Sequence, residues 1–83
     1  MLYQFEIDNF DYDRKRVSLQ ESRDLKAYFA EAVVEAPDEM KAYRSLARMV
    51  AGRLSKESCE GHAIIALPEY GKSVLELHAT THA

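Results

Sequence analysis

The stretch SRDLKAYFAEAVVEAPDEMKAYRSLARMVAGRLSK, residues Ser22 to Lys56, decides how the chain is built. Leu25, Tyr28, Phe29, Ala32, Val33 and Ala36 recur at the spacing of one helical face. Ala36 precedes a proline, and helical geometry is disfavoured there, so the spacing predicts a helix over 22–36. Pro37 suits the first turn of a second helix, and Asp38 and Glu39 complement its N-terminal dipole. Met40, Tyr43, Ala47, Val50 and Leu54 form the second apolar face, which predicts a helix over 37–55. Two helices would then meet at a sharp corner, Ala36-Pro37-Asp38.

Outward from this pair the period changes from helical to alternating. Before it, Tyr3, Phe5 and Ile7 alternate with Gln4, Glu6 and Asp8, which predicts a half-buried strand over 2–9. The segment from Phe10 to Arg16 reads as a turn by its aspartates, and 16–19 is a candidate short strand. Ser18 and Glu21 have capping-box spacing, so Ser18 competes with Ser22 as the start of the first helix. After the pair, 62–67 and 73–79 flank the Gly-containing loop Pro68 to Lys72 as a β-hairpin. Setting Ile65 opposite Leu75 and Ala63 opposite Leu77 brings the larger apolar side chains to one side. Residues 80–83 read as a frayed tail. The expected fold is α+β, a small single domain spanning 1–83. Its order is β(β)ααββ, with an antiparallel sheet of three to four strands and two helices packed on one face.

Composition narrows the function classes. At 83 residues there is little room for a deep catalytic cavity, and 47% apolar content belongs to a folded domain. A net charge of −3 argues against whole-surface attraction to nucleic acid or to an anionic membrane. The opening Met1-Leu2-Tyr3-Gln4 has neither the basic nor the apolar region of a signal peptide, and no apolar run is long enough to span a bilayer. One cysteine, Cys59, leaves no internal disulfide. A cytoplasmic protein is expected.

Four surface features carry the functional expectations. On the outward face of the first helix, Ala27, Ala30 and Val34 stand where charge is usual. They form either an apolar centre for a partner or homodimer, or a face covered by the second helix. On the second helix, Lys41, Arg44 and Arg48 make a basic stripe, with Lys56 beyond them and no acidic residue between Lys41 and Lys56. A tight helix pair has the outline of a helix-turn-helix, yet Asp38 and Glu39 would repel phosphate at the start of the second helix.

Cys59, His62, His78 and His82 have sulfur and imidazole donors suited to zinc, and the hairpin register sets His62 across from His78. Glu6, Asp8, Asp11 and Asp13 form an acidic patch. Asn9, Asp11 and Asp13 imitate the opening of a calcium loop, but Arg14 and Gln20 occupy the positions of its glycine and its glutamate. No Gly-rich phosphate loop is present. Cys59 and His62 could pair as nucleophile and base but have no oxyanion site or convincing base–orienter pair beside them, so no catalytic residues are assigned and an enzyme is not expected.

The expected function is that of a small non-enzymatic interaction or inhibitor protein without a cofactor. Ala27, Ala30 and Val34 would supply the apolar centre, and Lys41, Arg44 and Arg48 the polar rim. In size and mild acidity the chain resembles the small inhibitors that phages encode against host machinery, anti-CRISPR proteins among them. That resemblance implies a protein partner in a host cytoplasm. The alternatives are a nucleic-acid-binding or transcription-regulatory domain using the second helix, and a small zinc-binding module.

Overall fold

The computed structural model describes residues 1–56 and 61–81. It is an α+β domain with strand β1 (Leu2–Asp11), helix α1 (Leu19–Glu31), β2 (Val34–Glu35), helix α2 (Glu39–Met49), β3 (Arg53–Leu54), β4 (Ala63–Ala66) and β5 (Val74–Thr81). A 3-10 turn at Pro68–Tyr70 precedes β5. The strands form one antiparallel sheet in the order β2-β1-β5-β4-β3, so the strand count is five instead of three or four. Both helices contribute to a single core, with Phe29 and Tyr43 sharing it with Phe5, Ile65, Leu75 and Leu77.

The hairpin has the register expected from its apolar faces, Ile65 opposite Leu75 and Ala63 opposite Leu77. β5 runs further than its predicted end. Thr80 and Thr81 pair with Gln4 and Tyr3, so these two residues of the expected frayed tail belong to the sheet. His82 and Ala83 lie outside the described residues.

β1 is longer than the predicted 2–9 because a bulge restores its phase. Ile7 pairs with Leu77 and Asn9 with Glu76, leaving Asp8 as the extra residue. The core side chains are therefore odd-numbered before the bulge (Tyr3, Phe5, Ile7) and even-numbered after it, where Phe10 packs beside Leu75. Phe10, read from sequence as part of a turn, is 6% exposed.

No strand forms at 16–19. Ser18 is the N-cap of α1: its hydroxyl accepts from the Glu21 amide at 3.1 Å, and the Glu21 carboxylate accepts from the Ser18 amide at 3.1 Å. Ser22, the predicted start, is buried, and its hydroxyl donates to the Leu19 carbonyl at 2.7 Å. Nor does α1 reach Ala36. Ala32 turns extended at φ −64° and ψ 134°, and Val34 pairs with Tyr3. The β-branched Val33 and Val34 followed by Pro37 favour extended backbone, and the edge of β1 is there to receive it. The N-terminal ammonium of Met1 donates to the Ala36 carbonyl and the Ala36 amide donates to the Met1 carbonyl, both at 3.0 Å, completing the short ladder. A strand thus replaces the expected corner. Val33 is exposed and Tyr28 is 47% exposed, which leaves Ser22 and Phe29 as the buried residues of α1.

α2 is also shorter than 37–55. Asp38, not Pro37, opens it, its side chain accepting from the Lys41 amide at 2.9 Å. It closes in a Schellman-type turn, with the Gly52 amide donating to the Ala47 carbonyl at 2.7 Å. Ala51 takes the left-handed position at φ 51° where glycine is usual. Glycine is needed one residue later instead, since a Cβ at Gly52 would stand 2.6 Å from Ile65 Cγ2 and 3.0 Å from the Ala66 carbonyl oxygen. That close approach lets Arg53 and Leu54 pair with Ala66 and Ile65, so Leu54 ends in β3 instead of on a helix.

Candidate functional site

Tyr43 fixes which way α2 faces. It lies with Ala42, Leu46 and Ala47 in the buried face, its ring 6.1 Å from that of Phe5. Its hydroxyl accepts from the Ala79 amide at 2.8 Å and donates to Glu39 Oε1 at 2.8 Å. Burial, more than the bond to Glu39, pushes its pKa up to about 12, so the phenol stays a donor throughout the physiological range. With this face held, the helical period turns Lys41, Arg44 and Arg48 to solvent, and all three are exposed. Among the described residues none of them, nor Lys56, is in an ion pair.

The crest of cations separates two grooves. At about 100° per residue, Met40 and Met49 fall on opposite flanks of it. On the Met40 side, Arg44 and Lys56 stand over Met40, Leu54 and Ser55 around ≈ 380 Å³ of open space. On the Met49 side, Leu25 and Tyr28 of α1, Met49 and Val50 of α2, and Tyr70 line ≈ 410 Å³, with Asp24, Arg48 and Glu69 at the rim. Met49 is 53% exposed and Tyr28 47% exposed. Sequence reasoning placed Tyr28 in the core and passed over Met49. The signal that could have found the groove is Met49 itself, a large apolar residue outside the predicted stripe of its helix.

The apolar centre expected on the first helix is not assembled. Val34 is 6% exposed and belongs to β2, because its strand pairing with Tyr3 takes it off the helix and into the core. Ala27 and Ala30 are exposed and line a separate space of ≈ 680 Å³ beside Gln4 and Glu6 of β1 and Thr80 of β5. α2 does not cover them, and no residue of that space is shared with the two grooves flanking α2.

Strand pairing divides the acidic patch. Asp13 is a turn pin: its carboxylate accepts from the Lys72 amide at 3.1 Å and the Lys15 amide at 3.0 Å, and these bonds hold its pKa below the usual carboxylate value. Its own amide donates to Ser73 Oγ at 2.9 Å. Asp11 is exposed and in register with Val74.

Glu6 and Asp8 clasp His78 from both sides. Asp8 Oδ1 lies 2.8 Å from Nδ1, and Glu6 Oε2 lies 3.0 Å from Nε2. The hydrogen bond to Asp8, ahead of the charge of Glu6, raises the His78 pKa, as expected for an imidazolium with an acceptor at each nitrogen. His62 Nδ1 is 3.7 Å from the same Asp8. The two histidines expected to face each other across the hairpin thus converge on a carboxylate of β1, which no spacing within the hairpin could indicate. Cys59 and His82, the other two proposed zinc ligands, lie outside the described residues. Among the described residues no group of three or more His, Cys, Asp or Glu is placed to hold a metal ion.

No described helix is long and apolar enough to cross a membrane. Comparison with protein-family models, with curated proteins and with solved structures finds nothing that matches this chain.

Proposed function

We propose that this chain is a non-enzymatic protein-binding module of the inhibitor type, and that it engages its partner through the outer face of α2. The observation that carries this reading is the crest of Lys41, Arg44 and Arg48, exposed, without carboxylate partners among the described residues, and flanked by grooves that set Met40, Met49 and Tyr28 among polar side chains. Arginine, tyrosine and methionine are the side chains that interfaces concentrate, and here Arg48, Tyr28 and Met49 border one groove. In size and mild acidity the chain resembles phage-encoded inhibitors, and a host protein is the proposed kind of partner.

The test is affinity capture from cells of the source with the intact chain, beside a variant carrying Lys41→Glu, Arg44→Glu and Arg48→Glu. The variant should keep its circular dichroism spectrum and lose the captured protein. An unchanged set of captured proteins would overturn the use of this face. Binding of the intact chain to duplex DNA at low salt, steeply weakened by added salt, would favour the nucleic-acid alternative instead. Glu39 and the capping Asp38 at the start of α2 argue against that outcome, since a phosphate would meet carboxylates there.

A further inference from the structure

We infer that the occupant of this face is an acidic amphipathic helix laid along α2, an inference that rests on the protein-binding reading above and names the partner's chemistry. The spacing of the crest carries the first part of the argument. Lys41, Arg44 and Arg48 follow one another at three and four residues on a continuous helix, so they rise over about 10 Å in steps of about 4.5 and 6 Å. A partner helix with carboxylates three and four residues apart repeats those steps. An extended strand presents same-face side chains only every ~6.8 Å, and three of its carboxylates would overrun the crest by about 3 Å.

Charge complementarity carries the second part. Lys56 extends the crest on the Met40 side. Asp24 and Glu69 also line the Met49 groove, where they would turn away acidic side chains placed off the crest and so set the register.

The grooves carry the third. A helix seated over a row of side chains directs its flanking residues down on either side, and here the two flanks meet Met49 with Tyr28 on one side and Met40 with Leu54 on the other. Methionine adapts its shape to what enters, so the grooves suit leucine- or phenylalanine-sized anchors better than a single rigid ligand. The partner is therefore a helix with a central acidic row and apolar residues on both sides of it.

The probe is a synthetic helical peptide of about 15 residues. It carries glutamates three and four residues apart, flanked by leucines, and its fluorescence anisotropy is titrated with the full chain. A lysine-for-glutamate version, a scrambled peptide of the same composition and a short DNA duplex serve as comparators. The designed peptide should bind, with shifts in amide NMR signals concentrated in α2 and at Tyr28. Arg44→Glu and Arg48→Glu should each weaken binding about tenfold and flatten its salt dependence, whereas Met49→Ala should weaken it without changing the salt dependence. No binding of the designed peptide, equal binding of the scrambled peptide, or full displacement by the duplex would overturn the inference. If capture of a cellular partner still depends on Lys41, Arg44 and Arg48, failure of the peptide refutes the helical partner alone; if capture fails as well, the protein-binding reading falls with it.

Discussion

The two helices of this protein are of similar length but are held in different ways. α2 buries Ala42, Tyr43, Leu46 and Ala47 and is tied to β5 by the Tyr43 hydroxyl, whereas α1 buries Ser22 and Phe29. α2 is a core element with a polar back. α1 is a cover that packs chiefly on β1. A helix that is deeply anchored can present a rigid row of charges outward, and this is why the proposed binding face lies on α2.

The largest effects should come from removing the main anchor of each helix. Leu46→Ala should cost about 2–5 kcal/mol and lower the melting temperature of the whole domain as one transition. Phe29→Ala removes a ring of the size that costs about 3–5 kcal/mol in a core, but part of that loss should appear as local opening. In hydrogen exchange, the α1 amides of that variant should lose protection before those of α2 and β5. Simultaneous loss in both helices would break the distinction between anchor and cover.

Tyr43→Phe sharpens the same comparison with a single atom. It leaves the Ala79 amide without its acceptor in a half-buried position and frees Glu39, at a cost of about 1–3 kcal/mol. Chemical denaturation measures the loss, which should be accompanied by faster exchange of the Ala79 amide. At the end of α2, Ala51→Gly should stabilise by about 0.5–1 kcal/mol because it relieves a left-handed alanine. Gly52→Ala should act in the opposite direction, since its Cβ meets Ile65 and the backbone of Ala66.

The smallest effect concerns neither helix. His78 holds its proton more tightly folded than unfolded, so the stability it confers is fully present below its ordinary pKa of 6.5 and is lost as pH rises through the raised folded value. Melting temperatures across about pH 5.5 to 8.5 should therefore fall slightly with rising pH, and His78→Gln should flatten that part of the curve. Asp13 works in the other direction: its contribution is present above its ordinary value of 3.8 and disappears as pH drops through the lowered folded value.

What could be read from the sequence followed the strength of each periodic pattern. The hairpin register was legible because β4 and β5 bury alternate apolar residues and a slip by one would expose them. The cationic crest of α2 was legible because its basic residues recur at helical spacing, but only Tyr43 and Ala47 of its buried face were, since Ala42 and Leu46 lie beside the stripe read through Met40, Val50 and Leu54. The end of α1 was not legible, because Ala32, Val33 and Ala36 happen to continue its helical period while in fact leaving the helix. The bulge was hidden in the same way: Ile7 and Phe10 are in phase only if one residue between them is extra. The Met49 groove needed three separate segments, α1, the end of α2 and the turn at Tyr70, to come together.

The sequence by itself determined an α+β domain, the hairpin pairing, both helices and the row of cations, because local period and turn chemistry act within a few residues of one another. Only the tertiary structure decided that Val34 is strand and Ala36 bonds to Met1, that Asp8 joins His62 and His78, and that the crest of α2 runs between two grooves. The first two depend on partners far along the chain, such as Met1 for Ala36 and Asp8 for His78 (separations of 35 and 70), and the grooves on separate segments brought together. The free energy that chooses them is that of pairing an open strand edge and burying a shared core, which no short window of sequence contains.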